Sequence, residues 1–129
     1  MATRRQVRQA VVSLLYARDM DGCSDEFKDE FLEDRKIRNK QKKFSDSLYN
    51  GVIENLEAID AALNEHLSEY KIDEVGEVER AILRLGAYEI KFTSVDKAVA
   101  INEAIELAKE LASDSSPSFV NGVLDNIAR

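Results

Sequence analysis

Between Phe44 and Leu67 the apolar residues Phe44, Leu48, Val52, Leu56, Ile59, Leu63 and Leu67 are separated by three or four positions every time. Steps of three and four return a side chain to the same face of a helix, and no strand can collect such a stripe on one side. The spacing therefore predicts a continuous helix with one buried face. The same period holds elsewhere. Val7, Val11, Leu14 and Leu15 share a face behind Thr3, a candidate N-cap. Asp21-Gly22 ends that segment, with Gly22 suited to a left-handed closing residue. Ser24 can cap a short helix with Phe27 and Phe31 as its contacts. Asp73 and Glu74 open a helix that turns Val78, Ile82, Leu85, Tyr88 and Phe92 inward. Asp96 can cap the next, which carries Val99, Ile101, Ala104, Ile105, Ala108 and Leu111. Ser116-Pro117 starts a last helix with Phe119, Val120, Val123, Leu124 and Ile127. No segment alternates as a strand would, and one Pro and five Gly are too few for the turns of an all-β chain. The expectation is one all-α domain over residues 1–129, a compact bundle of six or seven helices.

The 129 residues are 44% hydrophobic and 33% charged, enough to bury a core without metal or disulfide. The single Cys23 excludes an internal disulfide framework. No run of 18 apolar residues or secretory h-region is present, which points to no membrane partner and a cytoplasmic setting. The formal net charge of −7 is unevenly spread. Residues 1–43 hold 11 Lys and Arg against 8 Asp and Glu, whereas residues 44–129 hold 7 against 17. Two basic stretches stand out: Arg4, Arg5, Arg8 and Arg18, with no acid before Asp19, and Arg35, Lys36, Arg38, Lys40, Lys42 and Lys43. Any one such run reads first as solvated helix surface. A local basic patch on an acidic body also suits a selective phosphate contact rather than general coating of nucleic acid.

Catalytic chemistry is poorly supplied. His66 is the one histidine, inside the long apolar stripe, and Cys23 lies among acids with no histidine near it in the sequence. There is no Gly-rich phosphate cradle. Glu103 and Glu106 lack histidine partners for a di-iron site and read as an exposed face. No cofactor or metal is expected, and no enzyme activity. The first helix offers more. At 100° per residue, Arg5, Arg8 and Tyr16 gather to one side of its apolar stripe, and Arg4 falls near the stripe, as part of an arm projecting from the body. Guanidinium groups suit bidentate phosphate contact, and a tyrosine ring can stack an unpaired base. Tyr16 as a half-buried core ring is the plainer alternative. Gly86 and Gly122, each within a helix, suggest close approach of a neighbour. Glu79, Arg80 and Arg84 read as solvated surface, and Asn121 as a hydrogen-bonder between helices.

Four stretches, in order, resemble the NusB family of bacterial transcription antitermination factors. They are residues 4–16 (RRQVRQAVVSLLY), 78–90 (VERAILRLGAYEI), 99–109 (VAINEAIELAK) and 119–125 (FVNGVLD). The resemblance implies two packed helical sub-bundles. It implies binding of the boxA segment of ribosomal-operon RNA together with NusE, a ribosomal protein, within the complex that helps RNA polymerase read through terminators. Carried over by position, Arg4, Arg5 and Arg8 would meet RNA phosphates. Tyr16, Glu79 and Arg84 would lie at the joint RNA and NusE surface, and Ser115, Ser116 and Phe119 would form an RNA edge. The chain departs from the family pattern at Val7, Gln9, Ser13, Asp96, Pro117 and Ser118, and the last two remove basic character near Phe119. The run Arg35–Lys43 lies outside the signature and is either an extra phosphate contact or the solvated start of the long helix. The resemblance leaves monomer or homodimer open. The competing readings are a helical protein-interaction module without specific RNA binding, and the NusB-like part of an RNA methyltransferase, for which the chain has no Rossmann-like domain.

Overall fold

The computed structural model describes residues 1–129. Seven α-helices follow one another: α1 (Arg4–Met20), α2 (Asp25–Asp34), α3 (Lys40–Glu54), α4 (Leu56–Glu65), α5 (Glu77–Phe92), α6 (Lys97–Leu111) and α7 (Ser116–Ala128), with a single 3₁₀ turn at Ile72–Glu74. No helix is long and apolar enough to cross a membrane.

Local chemistry fixes most of the boundaries. The Thr3 hydroxyl accepts from the Gln6 amide while the Gln6 side chain accepts from the Thr3 amide, a reciprocal cap that starts α1. Ser24 and Asp96 cap α2 and α6 through their side-chain oxygens. Gly22, at φ +90°, closes α1 in the left-handed region. Pro117 lies in the first turn of α7, where a missing amide costs nothing.

The stripe from Phe44 to Leu67 is real, but the helix beneath it is not continuous. It breaks at Asn55, whose backbone N–H and side-chain amide both donate to the Gly51 carbonyl. A side chain competing for that acceptor bends the chain, and α4 restarts one residue later. The apolar face survives the break, since Leu48, Val52, Ile59, Leu63 and Leu67 are all buried. His66 caps the end of α4 and is exposed.

Helix α5 is the hub. It packs on α1 and α3 on one side, on α6 and α7 on the other, and on α4 as well. The two expected sub-bundles are present, and α5 belongs to both. Its burial is nearly complete from Ala81 to Ile90, apart from the partly exposed Arg84 and Tyr88. Gly86 lets α7 close in: a Cβ there would sit 2.6 Å from Leu124 Cδ1. The parallel expectation for Gly122 fails, because nothing lies within 4 Å of a Cβ at that position. Three residues expected inward are exposed instead. Phe92 lies in the last turn of α5, its ring stacked on Tyr88 of the same helix, and Val99 lies in the first turn of α6. Phe27 faces solvent against Phe31, while Leu32 and the stem of Lys28 carry the buried side of α2.

Candidate nucleic-acid interface

Helix α1 runs antiparallel to α5. Arg8 meets Glu89 near the end of α5, and Asp19 meets Arg80 near its beginning. The two ends of this pair define two clusters of the expected site residues.

At the amino end of α1, Arg4 and Arg5 are exposed. Arg4 is helical rather than part of a projecting arm, and its guanidinium lies 4.3 Å from the centre of the Phe44 ring. No carboxylate reaches it. Arg5 reaches across to α6 and donates to both oxygens of Glu103, at 3.2 and 2.7 Å. Glu106 and Glu110 continue this acidic row, and Gln9 donates to Glu110. The hydrogen bonds from Arg5, and its charge, hold the Glu103 carboxyl below its ordinary range. Glu103 is therefore an anchor for the arginines and not the open face that its spacing suggested.

Arg8, one turn on, is different. It is 4% exposed, and its Nε and Nη2 donate to the two carboxylate oxygens of Glu89 at 2.8 and 2.9 Å. The hydrogen bonds with Glu89 raise its pKa further. A guanidinium so enclosed has no face left for a phosphate, which corrects the expectation that Arg8 lies beside Arg5 in the interface. The pair ties α1 to α5 instead. Its signal was in the sequence of α5. Glu89 falls four residues after Leu85 and seven after Ile82, on the buried face, where a carboxylate requires a cationic partner.

At the other end of α1, Tyr16 is 39% exposed. It shares a helix face with Arg5, about 16 Å further along the axis. The ring is thus partly buried and partly open to solvent. Arg84 is not a free surface cation. It donates to both oxygens of Asp60 on α4 and to Asp19 on α1, each at 2.9 Å, and Arg80 joins the same Asp19. These contacts fasten α1, α4 and α5 together. Glu79 accepts a 2.6 Å hydrogen bond from the Ser116 hydroxyl, which also contacts Ser113. Ser116 is buried, Ser115 is exposed, and Phe119 projects one turn further along α7. Phe119 and the exposed Tyr70 are shared by two shallow clefts that flank it, of about 420 and 350 Å³. Glu79, Ser115, Ser116 and Phe119 therefore do come together, at the opposite end of α5 from Arg4 and Arg5. Asn121 is exposed and bridges no helices.

The basic run that the signature left aside comes close to the first cluster. A cleft of about 320 Å³ has Ala2, Gln6 and Gln9 on one wall and Arg35, Lys36 and Ile37 on the other. Nothing in the local sequence of residues 35–37 announces that neighbour. No group of three or more His, Cys, Asp or Glu side chains is placed to hold a metal ion.

With this geometry in place, the chain can be set beside known proteins. The family model described as the NusB family matches residues 5–129. The transcription antitermination protein NusB of Campylobacter fetus subsp. fetus is 64% identical over 129 residues, covering 100% of this chain and 98% of that protein. The protein of the same name from Campylobacter hominis is 61% identical over the same shares. Among solved structures, T. maritima NusB superposes with a TM-score of 0.89 at 34% identity, covering 98% of this chain and 91% of that one. A structure of the antitermination factors NusB and NusE in complex with dsRNA superposes with a TM-score of 0.87 at 33% identity, covering 97% and 95%.

Proposed function

Because the chain belongs to the NusB family, we propose that it is a non-catalytic cytoplasmic transcription antitermination factor that holds the boxA segment of ribosomal-operon RNA jointly with NusE, within the complex that carries RNA polymerase through terminators. The observation that carries this reading is the likeness, over nearly the whole chain, to a NusB seen with NusE and RNA. Arg4 and Arg5 are the phosphate contacts, since both guanidinium groups reach solvent. Phosphate must displace Glu103 from Arg5, one ion pair exchanged for another. Tyr16, Ser115 and Phe119 supply a second contact zone, with an aromatic ring available to an unstacked base. Arg8, Arg84, Glu79 and Ser116 act behind these groups, holding the helices that present them.

The test is binding of a synthetic boxA RNA to the purified chain, alone and with NusE, followed by fluorescence anisotropy. Tighter binding with NusE, weakening steeply with salt, is the expected result. RNA binding that is absent, or indifferent to both NusE and sequence, would instead mark the chain as a protein-interaction module.

A further inference from the structure

The cations of this chain are not equally committed. Most lie within 4.0 Å of a carboxylate, including Arg38 against Glu33 and Lys42 against Asp29 and Asp46. Arg4, Arg35, Lys36, Lys40, Lys43, Lys71, Lys91 and Lys97 do not, and five of these eight fall in the first third of the chain. The fold brings three of them, Arg4, Arg35 and Lys36, to the amino end of α1. The Gln41 side chain donates to the Ala2 carbonyl, which seats the start of α3 against the start of α1. Arg4 lies on the ring of Phe44, between the two helices. Arg35 and Lys36 face α1 across the cleft described above.

The loop that presents Arg35 and Lys36 is held in place. Ile37 is 1% exposed and anchors its centre in the core. The Arg35 guanidinium lies 3.5 Å from the centre of the Phe31 ring, and Arg38 is fastened to Glu33. Lys36 and Asn39 both adopt the left-handed region, at φ 58° and 57°, which costs a residue with a Cβ and persists only where the surroundings impose it. The outcome is a fixed edge with two cations that no carboxylate pairs, facing Gln6, whose side-chain oxygen caps α1, and Gln9, whose amide donates to Glu110. The two cations suit phosphate oxygens. Of the exposed acids that precede the loop in the sequence, Glu33 and Asp34, the first is bonded to Arg38.

We propose that this cleft is a second phosphate-binding site, in which Arg35 and Lys36 hold the backbone of the RNA chain just outside the segment gripped at Arg4 and Arg5. The inference rests on the RNA-binding reading above and extends the track from α1 onto the α2–α3 loop. It contacts backbone and not base edges, so it adds affinity without adding sequence preference.

The experiment compares two RNAs, the bare boxA element and the same element extended at each end, with the full chain and NusE. Salt dependence is measured for the wild type, for the Arg35→Ala/Lys36→Ala double variant, and for Lys91→Ala as an unpaired cation elsewhere. Each single-strand phosphate contact contributes a slope of about 0.7, so the double variant is expected to lose roughly 0.7–1.4 units on the extended RNA, and little on the bare element. Lys91→Ala is expected to change neither. Equal slopes for wild type and double variant on the extended RNA would overturn the site, as would an equal loss on both RNAs. Failure of the wild type to bind the bare element would instead strike at the RNA-binding reading itself. Circular dichroism melts of the double variant exclude a folding defect as the cause.

Discussion

Arg5 and Arg8 stand one turn apart in the same helix, in one uninterrupted basic stretch, and do different work. Arg5 is exposed and shares its charge with a row of carboxylates on α6. Arg8 is enclosed and bonded at two points to Glu89 on α5. The difference follows from the width of the buried face of α1. Val12 and Leu15 are buried as well as Val7, Val11 and Leu14, and Arg8 lies among them, four residues before Val12 and seven before Leu15. A buried ion pair is not assembled for net stability, since desolvation offsets most of the attraction, but leaving one partner alone is costly. Basic character in a helix is therefore a poor guide to its interface until burial divides it.

The sharpest break of this comparison is Arg8→Ala. It strands the Glu89 carboxylate in the core and is expected to cost about 3–5 kcal/mol, measured by denaturant unfolding. A loss below about 1 kcal/mol would place Arg8 back among the surface cations. Arg84→Ala comes next. It removes charged hydrogen bonds to Asp60 and Asp19, and a loss of about 1.5–3 kcal/mol is expected, with any fall in RNA affinity explained by the loosened junction of α1, α4 and α5. Arg5→Ala is expected to leave stability nearly unchanged, because an exposed ion pair contributes little.

The smallest effect is a pH dependence. Arg5 lowers the Glu103 pKa in the folded chain, so this carboxylate stabilises the fold above its unfolded value, near 4.5. That contribution disappears as pH falls through the lower, folded value. The stability difference between wild type and Glu103→Gln should therefore be present at neutral pH and close on acidification below about 4.5. A difference that grows on acidification would contradict the assignment.

Much of the fold was legible because its signals are local. The capping residues Thr3, Ser24 and Asp96, the closing Gly22 and the position of Pro117 each act within a turn of their own position. The break at Asn55 escaped notice because the apolar period runs through it, and only the competition for the Gly51 carbonyl reveals it. Gly86 and Gly122 look alike in sequence, and only the position of Leu124 separates them. The candidate site was half legible for the same reason. Arg4, Arg5, Tyr16, Ser115 and Phe119 are exposed, whereas Arg8 and Arg84 are consumed by acids 81 and 24–65 residues away. Pairings at such separations leave no mark on a local pattern, apart from a lone carboxylate such as Glu89 on an apolar face.

The most direct test of the account is the salt dependence of boxA RNA binding, in the presence of NusE, for wild type and Arg5→Ala. An exposed guanidinium that meets a phosphate predicts weaker binding and a slope shallower by about 0.7 in the variant, with an unchanged fold. An unaltered slope and affinity would show that the amino end of α1 does not hold RNA.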